Sequence, residues 1–143
     1  MQDANYKMMK TNKQLIGIDL FAGGVSLGAE MAGISMRYAV EADAYAAASY
    51  KRNFKNATVF CEDIRKLSAD KLNTQPVFII MGGPPCQGFS LSNTKTRDMS
   101  NPNNRMFEEF LRFVDKIAPT WFVFENVYGL TNLKTERRIS RII

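Results

Sequence analysis

Histidine is absent from this chain. That removes imidazole both as an acid–base group and as a metal ligand. Cysteine is scarce: Cys61 and Cys86 are the two, with no metal-ligand spacing. A disulfide framework and a cysteine-built zinc site are therefore excluded. No apolar run is long enough to cross a bilayer. The opening stretch, Met1 to Lys13, is polar and dotted with lysine, without the apolar core of a secretory signal. A cytoplasmic protein with no membrane segment is expected. Internal repeats and low-complexity tracts are also lacking.

What is there suffices for one folded domain. The chain has 143 residues, 45% of them apolar, enough for a real core. Residues 1–14 read as a flexible N-terminal segment and 15–143 as the domain. The net charge is +5, which suits a polyanionic partner. Lys95 and Arg97 follow Cys86, and Lys134, Arg137, Arg138 and Arg141 crowd the C-terminus. A solvated helix face, with Ile139, Ile142 and Ile143 packed inward, is the preferred reading of that terminal cluster.

Strand and helix signals alternate. Gln14–Leu20 reads as a strand, and Gly23-Gly24 turns the chain into a helix over Val25–Ala32, with Gly33 as its stop. Met36–Val40 is a second strand ending at Glu41. Asp43 is placed to cap an alanine-rich helix from Ala44 to about Phe54. Thr58–Cys61 is a short third strand, with Cys61 packed inside. After Asp63 and Ile64 comes a connection with room for a helical turn before Pro76. The apolar run Val77–Met81 is a buried fourth strand. Residues 82 to about 104 form a long polar stretch, of a length usually reserved for function or disorder. Arg105–Ala118 is an amphipathic helix with Phe107, Phe110, Leu111, Val114 and Ile117 at helical spacing. Pro119 ends it, and Trp121–Phe124 is a fifth strand. This alternation predicts an α/β, doubly wound, mostly parallel sheet.

The most informative motif is Gly82-Gly83-Pro84-Pro85-Cys86-Gln87-Gly88-Phe89-Ser90. Glycines and prolines end the fourth strand abruptly, and one cysteine sits beyond its carboxyl end, where parallel sheets bind ligands. Asp19, Glu41, Cys86 and Glu125 all fall at strand carboxyl ends. Glu41 follows the glycine turn by about twenty residues, where nucleoside-binding folds keep an acid for ribose hydroxyls. The bland alternative for Glu41 is a helix cap, a role Asp43 already fills. Asp63 is equally a common turn residue, and Asp19 suits orienting the loop by hydrogen bonds.

The Pro-Pro-Cys-Gln-Gly-Phe-Ser run resembles the nucleophile motif of the cytosine-5 DNA methyltransferases. In the same order, Asp19-Leu20-Phe21-Ala22-Gly23-Gly24 resembles that family's cofactor loop, Glu41 its ribose acid, and Asp63-Ile64 its adenine-contacting pair. Asn104-Arg105-Met106-Phe107 resembles the start of its next helix, and Phe124-Glu125-Asn126-Val127 its catalytic glutamate motif. The likeness runs from about Leu15 to about Leu130. It implies a Rossmann-like fold that uses S-adenosylmethionine to methylate C5 of cytosine in double-stranded DNA. Cys86 would attack C6 and Glu125 would stabilise the activated ring at N3. Asp19, Phe21, Ala22, Gly23, Gly24, Glu41, Ala42, Asp63, Ile64 and Pro84 would hold the cofactor. Gln87, Ser90, Lys95, Arg97 and Asn126 would contact a flipped base or its phosphates, on a loop that closes over DNA. A solvated loop is the plain alternative for Ser90, Lys95 and Arg97.

The chain departs from the family in three places. The glycine loop is two residues shorter than the family's Asp-Leu-Phe-x-Gly-x-Gly-Gly. Ala42 stands where a bulky adenine-packing residue is usual. The recognition region and the terminal pocket helix are not seen, which leaves the sheet with the family's first five strands. Trp121, Phe122 and Phe124 would then form an exposed apolar edge. The expectation is part of a methyltransferase, a fragment or one subunit of a split enzyme, completed by a complementary chain. The rivals are an inactive truncated remnant, an RNA cytosine-5 methyltransferase, and a nucleotide-binding Rossmann module with a structural cysteine.

Overall fold

The computed structural model describes residues 14–72, 76–85 and 106–125. The elements follow in the order β1 Leu15–Leu20, α1 Val25–Met31, β2 Ile34–Val40, α2 Ala44–Asn53, β3 Thr58–Phe60, a 3-10 turn Ala69–Leu72, β4 Ile79–Gly82, α3 Met106–Ile117 and β5 Trp121–Phe124. The strands form one sheet in the order β3-β2-β1-β4-β5, with every neighbouring pair parallel. This is the doubly wound α/β architecture expected from the alternation of apolar segments.

β1 is the central strand and is buried on both faces, so its apolar residues are near-continuous rather than alternating. On one face Ile18 and Leu20 join Tyr38, Val40 and Ile80 beneath Phe110, Phe113, Val114 and Ile117 of α3. Ile64, Leu67, Ala69 and Leu72, from the segment after β3, complete that layer. On the other face α1 and α2 cover Met36, Ile79 and Met81, and Ala39. Gly17 makes room there for Met36, whose sulfur would lie 2.6 Å from any added Cβ.

Local chemistry explains the element ends. Asp43 caps α2 by accepting from the Tyr45 and Ala46 amides at 2.9 and 2.8 Å. Gly33, at φ 82°, turns the chain out of α1. A tight turn in which the Ala57 amide bonds the Phe54 carbonyl joins α2 to β3. Residues 118–120 join α3 to β5. These turns all lie at the amino edge of the sheet.

Two expectations are corrected. Cys61 is exposed, not packed, because the edge strand β3 ends at Phe60 and the next residue lies outside the ladder. On β5, Phe122 and Phe124 are not outward-facing. Period-two alternation turns them onto Phe110, edge-to-face at 6.3 and 5.1 Å. The outward residues are Trp121 and Val123, 60% and 45% exposed. Boundaries also shift. β2 begins earlier, at Ile34, which pairs with Leu15. β4 runs on to Gly82, which pairs with Phe124. Phe113 is fully buried in α3, beyond the stripe read from spacing. Among the described residues no helix is long and apolar enough to cross a membrane.

Candidate functional site

β1 pairs with β2 on one side and β4 on the other, so the chain leaves the sheet in opposite directions beyond these strands. In such sheets this switch point opens a crevice at the carboxyl edge. Gly82 is what lets β4 end close against β1, since a Cβ there would run into the Leu20 carbonyl. Past Leu20 the chain turns sharply at Phe21, a non-glycine residue with φ 63°. Such a backbone costs about 1–3 kcal/mol and persists only where its surroundings enforce it. Here the Ala22 amide bonds the Val40 carbonyl at 2.9 Å, and Asp19 holds the loop from below.

Asp19 is fully buried. Its Oδ2 accepts from the Ser26 hydroxyl at 2.6 Å and, at 3.4 Å, from the Gly23 amide. The Ser26 hydroxyl also lies 2.6 Å from the Tyr50 hydroxyl, so β1, α1 and α2 share one buried polar chain. Asp19 Oδ1 is buried without a hydrogen-bond partner. Burial pushes the Asp19 carboxyl up to about 6, the bonds from Ser26 and Gly23 pull it back, and the charge of Glu41 adds to the rise. Burial likewise raises the Tyr50 hydroxyl well above the ordinary tyrosine range.

Two further acids stand at the ends of β2 and β3. Glu41 Oε1 accepts the amide of Asp43, the residue that caps α2, at 2.8 Å, so the helix entry holds one carboxylate oxygen beside the cavity. Asp63 is gripped by Arg65. The Arg65 Nε donates to Oδ1 and Oδ2 at 2.9 and 3.0 Å, its Nη2 forms an ion pair with Oδ2, and its amide reaches Oδ1 at 3.0 Å. The Arg65 side chain, then its amide, hold Asp63 down at about 2, fully ionised near neutrality.

A cavity of about 380 Å³ at this edge is lined by Phe21, Glu41, Ala42, Asp63, Ile64 and Pro85, with Val40, Glu62, Arg65, Gly83 and Met106 around them. It thus gathers residues from the ends of β1, β2, β3 and β4. Ile64 also belongs to the core beneath α3. Glu125 lies beside this site. Its amide continues the sheet by bonding the Gly82 carbonyl at 3.0 Å. Its carboxylate rests over Gly83, where a Cβ would collide with Oε2. The two adjacent glycines thus do different work: Gly82 admits β1, and Gly83 admits the carboxylate of Glu125.

Not every candidate converges on this cavity. Ala22, Gly23 and Gly24 line a larger depression of about 560 Å³ between α1 and α2, with Leu27, Tyr50 and Phe54. Asp19 lies behind the loop and touches neither space. Pro84 sits between two lining residues without lining the cavity itself. Cys86, Gln87, Ser90, Lys95, Arg97 and Asn126 lie outside the described residues. Sequence reasoning overlooked Arg65, Met106, Ser26 and Tyr50. The two-residue spacing of Asp63 and Arg65 was a readable signal. The Ser26–Tyr50 contact spans two helices and left none.

The chain matches a family model for C-5 cytosine-specific DNA methylase over residues 15–143. It is 46% identical over 125 residues to the Type II methyltransferase M.DdeI of Desulfomicrobium norvegicum, covering 85% of this chain and 30% of that protein. It is 38% identical over 136 residues to M.XorII of Xanthomonas oryzae pv. oryzae, covering 90% and 32%. Among solved structures, a prophage-encoded E. coli protein described as a DNA modification methyltransferase superposes with a TM-score of 0.75 at 34% identity, over 90% of this chain and 36% of that one. The chain spans about a third of the length of these relatives.

Proposed function

This chain belongs to the C-5 cytosine-specific DNA methylase family, and from that premise we propose that it supplies the nucleophile, the catalytic glutamate and the adenosine side of the cofactor site for methylation of cytosine C5 in double-stranded DNA. Membership in the family implies S-adenosylmethionine as the methyl donor. One observation carries the proposal. The acids at the ends of β2 and β3 meet the Gly83–Pro85 turn across a single cavity, with the Glu125 carboxylate lying against Gly83.

The residues present fit the donor. The cavity falls within the ~300–1,000 Å³ range of small-molecule sites. Glu41 and Asp63 offer carboxylates, one for ribose hydroxyls and one for an exocyclic amine, and Asp63 is ionised at working pH. Phe21, Ile64 and Met106 supply apolar walls for a flat base. The bound donor would contribute an electrophilic methyl on a sulfonium.

The remaining chemistry falls to the chain. The Cys86 thiolate forms a bond to C6 of a flipped cytosine, which shifts electron density to C5. Glu125 holds the proton at N3 that stabilises this adduct. Transfer would turn the donor's sulfonium into a neutral thioether; solvent then takes the C5 proton, and its electron pair re-forms the C5–C6 double bond as the Cys86 thiolate leaves C6 and the aromatic ring is restored. Gln87, Ser90, Lys95, Arg97 and Asn126 contact the base and its flanking phosphates. The relatives are about threefold longer than the stretch they share with this chain, and target recognition is assigned to protein outside these 143 residues, in the same polypeptide or in a complementary one. The apolar outer face of β5, with Trp121 and Val123 exposed, offers it a seat. The setting is a Type II modification system, as the names of the relatives suggest.

The test is covalent trapping. The chain, with and without a candidate complementary chain, is incubated with S-adenosylmethionine and 5-fluorocytosine duplex DNA. A parallel arm uses 5-fluorocytosine RNA. The expected result is a DNA adduct that survives denaturation, is lost in Cys86→Ser and persists in Cys61→Ser. Trapping by Cys86→Ser removes Cys86 from the mechanism. Trapping on RNA alone replaces the substrate. Trapping by neither pairing favours the inactive remnant.

A further inference from the structure

The wall of the cavity that carries Asp63 and Ile64 belongs to an irregular segment between β3 and β4. Little of its own main chain holds it: the Lys66 amide reaches the Asp63 carbonyl at 2.9 Å and the Leu67 amide reaches the Ile64 carbonyl at 3.3 Å. A bond from the Glu62 amide to the Glu41 carbonyl at 3.1 Å ties its start to β2, and a further hold comes from α3. Arg112 of α3 donates through Nη2 to the carbonyls of Ile64 at 2.8 Å and Leu67 at 3.2 Å. Its Nε donates to Glu109 one turn earlier on the same helix, at 2.8 Å. Its guanidinium carbon stands 4.6 Å from the centroid of the Phe113 ring. Glu109 and Phe113 thus hold the planar fork from two sides and point it at the segment, a geometry lysine lacks. Both carbonyls belong to buried residues; that of Ile64 also accepts the Leu67 amide, so the loss of Arg112 falls most heavily on the Leu67 carbonyl, where a weakened acceptor is costly.

We infer that Arg112 is a positioning residue for the cofactor site: it fastens the Asp63–Ile64 wall to α3, the helix that lends Met106 to the same cavity and leads directly to β5 and Glu125. Arg112 does not line the cavity, so it acts through the main chain of Ile64. The clamp fixes two things together, the height of the Asp63 carboxylate over the pocket and the seating of α3. This rests on the cofactor reading given above.

The proposal is tested on the full chain by two measurements. The first is calorimetric titration with S-adenosylhomocysteine. Arg112→Ala is expected to raise Kd roughly tenfold, within the range usual for coupling through packed elements. Arg112→Lys, with one point donor left, should fall between it and the unsubstituted chain. The control is Lys116→Ala. Lys116 pairs with Asp70 at 3.2 Å, on the same segment but away from the cavity, so Kd should stay within about twofold. The second measurement is amide hydrogen exchange without ligand. Exchange at Ile64 to Leu67 should accelerate roughly tenfold in Arg112→Ala or Arg112→Lys, with β1 amides unchanged.

An unaltered Kd in Arg112→Ala, or an equal loss in Lys116→Ala, overturns the inference. So does exchange that rises uniformly over the whole sheet, the mark of general destabilisation. If the unsubstituted chain does not bind S-adenosylhomocysteine, the cofactor reading fails, and the exchange data decide the clamp alone. Should Arg112→Ala not fold, Arg112→Lys serves both measurements.

Discussion

Replacing Asp19 by asparagine is expected to change the pH dependence of stability in a defined direction. Asp19 titrates at about 6 in the folded chain, against an ordinary value of 3.8. Between these values the folded chain binds more protons than the unfolded one, so the Asp19 contribution to stability falls as pH rises through the window. It is fully present below about pH 4 and lost above about pH 6. The gap corresponds to about 3 kcal/mol. Asparagine keeps an oxygen for the Ser26 hydroxyl and carries no charge, so the variant has no ionisation penalty at high pH. The measurement is urea unfolding followed by far-ultraviolet circular dichroism at steps between pH 4 and pH 7.5. The stability of Asp19→Asn minus that of the unsubstituted chain should climb by about 2–3 kcal/mol over this range, whatever its value at pH 4. Subtraction removes the other carboxylates, including Asp63, whose loss as pH falls belongs to the window between its ordinary value and about 2. A difference that stays constant from pH 4 to pH 7.5 would refute the reasoning, because Asp19 would then be ionised throughout despite its burial.

Three further outcomes concern the neighbourhood of β4. Gly82→Ala should destabilise the chain by about 1–3 kcal/mol or prevent folding, since its Cβ meets the Leu20 carbonyl; denaturant melts at normal stability would contradict the packing. Gly83→Ala should leave the sheet intact and displace the Glu125 carboxylate, so methyl transfer should fall with unfolding midpoints little changed, as single-turnover kinetics would show. Glu125→Gln should slow methyl transfer by roughly a hundredfold or more while Kd for S-adenosylhomocysteine stays near normal. Near-normal turnover would remove Glu125 from the chemistry.

Apolar spacing made the five strands and α3 legible in the sequence, and turn chemistry was enough to place Gly33 and Asp43. The alternation within Trp121–Phe124 was also readable, yet run-based reading treated its aromatic residues as one surface, and the structure divides them. Cys61 was misread because a three-residue edge strand carries too little pattern to fix the environment of its neighbour. The acids at strand ends were legible because a parallel sheet gathers them whatever their distance along the chain. What sequence could not supply was long-range polar contact. The Tyr50–Ser26–Asp19 chain and the Arg112 clamp on Ile64 join residues with no periodic relation, and each depends on how two elements come to lie side by side.

With every described strand parallel, the sheet has one rim that carries the cavity and, opposite it, an amino rim that does not line it. The turn at Lys55 and Asn56 lies on the amino rim, and both residues are exposed. Roughly 20 Å of strand, the length of β1 at ~3.3 Å per residue, separates that rim from the cavity. A short peptide inserted between Lys55 and Asn56 therefore becomes a handle. It allows the chain to be anchored to a bead or a surface, or fused to a second binding module, with the carboxyl edge left facing outward and open to a nucleic acid as bulky as a duplex.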